Sequence, residues 1–118
     1  MGKVERDFYL ADAVTVARQL PGMELVMAAG EKCRRHLITE TEAYLGDRDR
    51  ACHASRGRTR RTEPMYLEGG HLYIYFVYGM HWMLNVVTGP AEHPQAVLIR
   101  GVSQYPGPGR VTKGLGID

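Results

Sequence analysis

Two runs of β-branched and aromatic residues, over 72–78 and 81–87, constrain the fold of this chain more than any other feature of its sequence. Such residues favour strands, and Gly79 with Met80 provides a turn between the runs. Strands joined by so short a connection pair antiparallel, so the pattern predicts a β-hairpin. An antiparallel sheet can pack one face on a core and leave the other face for a ligand.

Other patterns add a helix and three strands. Asp12 can cap a helix whose apolar stripe runs over residues 13–20 and which ends at Pro21 and Gly22. Further strands are expected over residues 24–28, 34–45 and 96–101. From Ser103 on, glycine and proline recur, and we expect this segment to bury little. The whole pattern predicts a small α+β domain with about five strands, largely antiparallel, and one helix.

Composition sets broad limits. With 118 residues, the chain is expected to form one domain over residues 1–118 with a core of its own. The net charge of +2 names no partner, but six arginines against two aspartates concentrate positive charge between residues 47 and 61. Cys33 and Cys52 lack the spacing of a zinc or redox motif, so no metal is expected. Neither a signal segment nor an apolar run of about 20 residues is seen, so we expect an intracellular protein that does not bind membranes.

The strand expected over 34–45 carries carboxylates where a half-buried strand usually has apolar side chains. Residues two apart in a strand share a face, so Glu40, Glu42 and Tyr44 are expected on the same face as Ile38. Carboxylates beside an aromatic ring are costly there unless they are solvated, paired or used in chemistry. Glu42 could act as a general base or stabilise positive charge. Solvated glutamates on an edge strand are the alternative.

Tyrosines form a second candidate set. Four of them could stack on a flat ligand, a contact worth about 1–3 kcal/mol for a nucleobase. They are Tyr44, Tyr73, Tyr75 and Tyr78. Packing in the core or across strands is the alternative, and it is favoured for Tyr73. Tyr78 differs because the hairpin places it at the turn, where a large aromatic side chain stays exposed unless something covers it.

Several further positions stay open between a functional and a structural role. Asn85 interrupts an apolar strand, either as a structural hydrogen-bonding group or as a reader of a polar edge. Arg100 ends the last strand and supplies either a cation beside the sheet face or a surface charge directed to solvent. His53 could line a pocket or carry a proton, with a surface histidine as the alternative. The arginines around it could contact phosphates, with a solvated charged loop as the alternative. The segment 107–113 lacks the Gly-Lys-Ser/Thr order of a phosphate loop, which excludes a nucleotide-triphosphate site there.

A set of short motifs carries more information than any one of these residues. In chain order they are Glu40-Thr-Glu-Ala-Tyr-Leu-Gly46, His53, Arg56-Gly-Arg-Thr59, Leu72-Tyr-Ile-Tyr75, Tyr78-Gly-Met-His81 and Asn85-Val-Val87. In order and spacing they resemble the alkyladenine (3-methyladenine) DNA glycosylase family, from about residue 8 to residue 100. The resemblance implies a single α+β domain with a curved, mostly antiparallel β-sheet, few helices and a protruding β-hairpin that enters the minor groove of DNA.

For function, the resemblance implies a DNA repair enzyme that works without metal or cofactor. Members of the family flip an alkylated or deaminated purine out of duplex DNA and hydrolyse its N-glycosidic bond, which leaves an abasic site. By this resemblance, Glu42 is the catalytic carboxylate, and Arg100 holds the attacking water and the adjoining phosphate. The pocket for the extruded base comprises Tyr44, Ala51, His53, Tyr75 and Asn85. The gap left in the duplex is filled by Tyr78, with Met80 and His81 beside it. The DNA backbone is contacted by Arg56, Arg58 and Thr59.

The sequence departs from the family after Arg100, where a segment follows that resembles a later part of the family. The family's C-terminal part is therefore expected to be missing or shortened after about residue 100. This makes a damaged-DNA or flipped-base binding module without catalysis the main alternative, ahead of an unrelated α+β ligand-binding domain. The expected partner is duplex DNA with damaged purines. A monomer is expected unless the shortening exposes the sheet and drives oligomerisation. The expected compartment is the nucleoid-containing cytoplasm of a bacterium or the nucleus of a eukaryote.

Overall fold

The described part of the chain folds into an antiparallel sheet with two α-helices. The computed structural model describes residues 4–29, 32–45, 60, 62–77 and 79–117. The strands in this part of the chain are β1 (Glu24–Ala29), β2 (Lys32–Tyr44), β3 (Leu72–Val77), β4 (His81–Val87), β5 (Ala96–Val102) and β6 (Tyr105–Pro106). The helices are α1 (Ala13–Gln19) and α2 (Pro108–Leu115), with short 3-10 helices at Arg6–Leu10 and Glu63–Tyr66.

The strands are ordered β1-β2-β5-β4-β3, and β6 pairs with β5. Each of these pairs is antiparallel. β3 and β4 form the predicted hairpin, with Leu72 opposite Val86 and Val77 opposite His81. The α+β class, the antiparallel sheet and the strands predicted from alternation are therefore confirmed, with boundaries that differ by one or two residues.

Asp12 caps α1 as predicted. Its carboxylate accepts a hydrogen bond from the backbone N–H of Thr15 at 2.9 Å. The hydrogen bonds from Thr15 lower the pKa of Asp12 because they favour its ionised form. Val16 of this helix is completely buried, and the Thr41 hydroxyl of β2 donates to the carbonyl of Ala17 at 2.7 Å. α1 therefore packs on the sheet face that carries Thr41.

The two faces of the sheet hold two different clusters. The main core lies between the sheet and the helices and includes Val16, Leu20, Ile38, Leu84, Val86, Val97, Ile99, Val111 and Leu115. A smaller cluster is built on Met65, Tyr73, Val87 and Ala96. Neighbours along a strand point to opposite faces, so Val86 and Val97 face the helices while Val87 and Ala96 face the other side. This second face carries the candidate site.

The expectation that the segment after Ser103 buries little is wrong. The segment forms β6 and α2, and within α2 Val111 is completely buried and Leu115 is 2% exposed. Pro108 fits the first turn of a helix, where no hydrogen bond needs its missing N–H. Val111 and Leu115 are four residues apart and thus lie on one helix face, so a segment rich in glycine and proline still completes the core.

The expectation that Ile38 shares a face with Glu40 and Glu42 is also wrong. Ile38 is 5% exposed and belongs to the main core on the helix-covered side. The register of β2 against β5 shifts between Ile38 and Glu40 and again between Glu40 and Thr41. A β-bulge interrupts the alternation of side chains, so Ile38 and Thr41 both face the helices.

Candidate active site

A β-bulge brings a cation to the carboxylates of β2. Glu42 lies opposite Leu98 of β5, and Arg100 lies two residues farther along that strand. The register shift between Glu40 and Thr41 leaves Arg100 without a residue directly opposite it. Leu98 and Arg100 share a face by strand alternation, so the side chain of Arg100 emerges beside that of Glu42.

Glu42 is held by two hydrogen-bond donors, one on each carboxylate oxygen. Nη1 of Arg100 donates to Oε1 of Glu42, and the hydroxyl of Tyr44 donates to Oε2 at 2.7 Å. Nε of Arg100 also lies 3.9 Å from Oε2 of Glu40, so the guanidinium bridges two carboxylates. The side chain of Glu42 is 36% exposed and that of Arg100 49%. Glu42 is therefore a paired carboxylate and not a fully solvated one, and its side chain is exposed enough for a ligand to reach it.

Tyr44 remains a hydrogen-bond donor over the whole neutral range of pH. The pKa of Tyr44 is raised mainly by burial, and the hydrogen bond to Glu42 and the negative charge of Glu42 raise it further. The guanidinium of Arg100 opposes this shift and is outweighed. Because ionisation would place a phenolate against a carboxylate, the neutral phenol is the stable form.

An aromatic cluster forms the floor beside this ion pair. Tyr44, Tyr66 and Tyr75 pack against its buried core, Met65, Tyr73, Val87 and Ala96. The ring centroids of Tyr73 and Tyr75 are 5.1 Å apart, with their planes tilted by 43°. Tyr73 is 4% exposed, which confirms the packing role favoured for it. Tyr44 and Tyr75 are only partly buried, so parts of these rings are open to a flat ligand.

Asn85 has a structural hydrogen-bonding role. It is 1% exposed, and its Nδ2 donates to the carbonyl of Tyr73 at 3.2 Å and to that of Met83 at 3.4 Å. These bonds fix the side-chain amide against the main chain of the hairpin. A buried amide held in this way has a defined orientation. The predicted contact of Asn85 with a base stays a prediction.

The described part of the hairpin tip is exposed. Met80 is 70% exposed, and its N–H donates to the carbonyl of Val77 at 3.0 Å, which closes the turn. His81 is exposed as well, and it lies against α2: a Cβ added to Gly109 would meet Nδ1 of His81 at 2.5 Å. The tip thus projects a flexible apolar side chain while its base rests on α2.

Six of the predicted site residues lie outside the described residues. They are Ala51, His53, Arg56, Arg58, Thr59 and Tyr78. The structure brings together Glu42, Arg100, Tyr44, Tyr75 and Asn85 on one face of the sheet. It adds Met65 and Tyr66, which the sequence analysis did not assign to the site. Their signal is the apolar pair that follows Pro64 in a charged segment.

No three histidine, cysteine, aspartate or glutamate side chains in the described ranges lie close enough to hold a metal ion. Among the same residues, no helix is long and apolar enough to cross a membrane.

Comparison with known proteins points to one family. The family profile described as Methylpurine-DNA glycosylase (MPG) matches residues 7–107. A protein of Borrelia garinii subsp. bavariensis, provisionally named 3-methyladenine DNA glycosylase, is 46% identical over 127 aligned positions, covering 98% of this chain and 68% of the relative. A relative of the same name from Bdellovibrio bacteriovorus is 43% identical, with coverages of 95% and 66%. A third, from Legionella pneumophila, is 42% identical, with coverages of 100% and 68%. The chain thus spans about two thirds of the length of these relatives.

Proposed function

This chain belongs to the methylpurine-DNA glycosylase family of DNA repair, and from that premise we propose that it excises alkylated purines such as 3-methyladenine, and the deaminated purine hypoxanthine, from duplex DNA. The reaction is hydrolysis of the N-glycosidic bond, which leaves an abasic site. The observation that carries the proposal is the ionic centre beside an aromatic floor: Glu42 between Arg100 and Tyr44.

In the proposed reaction, Glu42 acts on the sugar and on the attacking water. As the bond between C1′ and the base breaks, its electron pair leaves with the base and positive charge develops on the sugar, which an ionised carboxylate stabilises. Water attacks C1′ and loses a proton to the carboxylate. A carboxylate has about four lone-pair sites, so the two donors on Glu42 leave room for this water. An alkylated base that is already cationic needs no added proton to leave, whereas hypoxanthine requires a proton.

The aromatic floor supports recognition of an extruded base. Tyr44 and Tyr75 are partly buried tyrosines of this face, and a ring-to-base stack contributes about 1–3 kcal/mol. We assign His53 and the main chain around Ala51 to the same pocket by family resemblance. We assign Asn85 to the same pocket by family resemblance, and there its fixed amide would crowd the exocyclic amine of guanine and so disfavour that base.

Extrusion of the base is the remaining step. Flipping costs a few kcal/mol, least where damage has already weakened pairing, and a side chain inserted into the gap offsets part of the cost. We propose that Tyr78 fills the gap, with Met80 and His81 beside it in the minor groove. The exposure of Met80, at 70%, supports this because an apolar side chain at a hairpin tip is available for insertion. Arg56, Arg58 and Thr59 would contact the flanking phosphates.

The test is excision from a duplex that carries a single hypoxanthine or a single methylated adenine, followed by alkali to break the strand at abasic sites. We expect strand breaks with the wild type and a loss of about 100-fold or more in rate for Glu42→Gln, since acid–base and charge effects at a catalytic group have this size. Glu24→Gln is the matched control, because Glu24 pairs with Arg35 at 3.6 Å on β1 and β2, away from the site.

The outcomes separate the two classes of function. Breaks that require Glu42 support the glycosylase. Tight binding of the damaged duplex without breaks would contradict it and favour the non-catalytic binding module. If the protein neither binds the damaged duplex nor produces breaks in it, a function on damaged DNA is excluded altogether.

A further inference from the structure

Tyr44 contacts the site through both its ring and its hydroxyl. Its ring packs on the aromatic floor, and its hydroxyl reaches Oε2 of Glu42 at 2.7 Å. Both residues lie on β2, two positions apart, so the backbone of one strand fixes the distance between them. Arg100 donates to the other oxygen of the same carboxylate from β5. Glu42 thus accepts a hydrogen bond at each carboxylate oxygen, one from β2 and one from β5.

We propose that Tyr44 is a positioning residue for Glu42: its hydroxyl fixes the plane of the catalytic carboxylate, a role separate from any contact of its ring with a base. The inference rests on the proposed function, in which Glu42 is the catalytic group. It assigns to the phenol oxygen of Tyr44 a part in the chemical step rather than in binding.

The surroundings make this hydroxyl a dependable donor. A carboxylate held by only one donor can rotate about its last torsion, whose energy wells are broad. A second donor on the opposite oxygen removes that freedom. The raised pKa of the Tyr44 phenol keeps its proton in place at any pH at which the protein works. Packing of the ring in the cluster with Met65 and Tyr73 limits its own movement.

The two donors also shape what Glu42 can do. Each donor occupies one oxygen of Glu42, so the lone pairs that remain for the attacking water have a defined direction. The charged and titratable groups that face this centre among the described residues are Arg100, Glu40 and Tyr75, with Glu40 reaching it through Arg100. If the phenol oxygen is removed, Arg100 remains as the donor to the carboxylate among the residues that the structure describes.

Tyr44→Phe separates the two roles, because it keeps the ring and deletes the hydroxyl. Hydrogen bonds to charged groups contribute enough that we expect single-turnover excision to fall by about 10-fold or more. Affinity for a lesion duplex should stay within about 2-fold, since the stacking surface is retained.

Tyr105→Phe is the matched control. Tyr105 packs near His36, with ring centroids 5.5 Å apart, and belongs to the helix-covered core rather than to the site. It reports what loss of a phenol oxygen does to folding alone, and we expect the wild-type rate. A Tyr44→Phe protein with the single-turnover rate of the wild type would overturn the proposal and leave the ring as the functional part.

A measurement without DNA separates failure of this inference from failure of the proposed function. In carbon-13 NMR of labelled glutamate at one fixed pH, the chemical shift of the Glu42 carboxyl carbon should differ between Tyr44→Phe and the wild type because a hydrogen bond to it is lost, and that of Glu24 should not. If the wild type excises nothing yet Glu42 shifts, the positioning contact stands and the glycosylase proposal fails. If the chemical shift of the Glu42 carboxyl is unchanged, the positioning role is excluded whatever the activity.

Discussion

At the scale of single residues, Arg100 is the cation of the site because of where the strand pairing is irregular. The bulge leaves it without a residue opposite and directs it toward Glu42 and Glu40. A guanidinium is planar and presents several N–H donors in a fixed arrangement. It can therefore hold Glu42 and still offer donors to a phosphate or a water when DNA binds.

Arg100→Gln should affect catalysis far more than stability. The ion pair is about half exposed, so its loss should change the free energy of unfolding by less than about 1 kcal/mol. Excision should fall by about 10-fold or more, since a charge-assisted hydrogen bond at the carboxylate is lost. Denaturant titration and single-turnover kinetics measure the two effects. Arg35→Gln, which breaks the pair with Glu24, should change neither; equal rates for both variants would contradict the assignment of Arg100.

At the scale of elements, the hairpin depends on α2. Val111 and Leu115 fill the space under β4 and β5, and the Thr112 hydroxyl donates to the carbonyl of Trp82 at 2.9 Å. The start of α2 lies close to His81, where Gly109 leaves room for the imidazole ring. A short helix from the end of the described chain thus supports the strand that leads to the hairpin tip.

Leu115→Ala tests this support. Leu115 is 2% exposed in the main core, so its truncation should lower the free energy of unfolding by about 2–5 kcal/mol. Urea titration followed by circular dichroism measures the change. Lys113→Ala is the control on the same helix, because Lys113 is exposed and its loss should cost less than about 0.5 kcal/mol. A Leu115→Ala protein as stable as the wild type would show that α2 is not docked as described.

At the scale of the whole molecule, charge is distributed unevenly. The net charge is only +2, yet six of the arginines fall between residues 47 and 61. DNA binding through such residues releases counterions from the phosphates, so affinity should fall steeply as salt rises. The proposed phosphate contacts, Arg56 and Arg58, belong to this segment.

The measurement is the dissociation constant for a lesion duplex at salt concentrations between about 50 and 200 mM. Over this range, the affinity of a protein with several phosphate contacts falls by about 10³-fold or more. Arg56→Gln should weaken binding and reduce the slope of log affinity against log salt by about 1. Arg18→Gln, on α1, is the control and should leave the slope unchanged. A response to salt that is flat in the wild type would remove the arginine-rich segment from the interface.

Features that depend on neighbours along the chain could be predicted from the sequence. The cap at Asp12, the hairpin around Gly79 and the period-two strands are set by local hydrogen bonding and by the alternation of side chains. The motif around Glu42 indicated the family, and the comparisons show that membership. These predictions succeed because each requires only contacts between residues close in sequence, or a match to a motif.

What depends on packing between distant segments was decided only by the tertiary structure. The double register shift between β2 and β5 moved Ile38 to the opposite face from Glu40 and aimed Arg100 at Glu42. Alternation alone cannot reveal this, because a bulge forms where two strands meet and not within one. The helix α2 was likewise hidden, since glycine and proline mask an apolar pair that becomes stabilising only when the sheet is there to bury it. The sequence predicted Glu42 and Arg100 as site residues, and the fold brings their side chains within hydrogen-bonding distance.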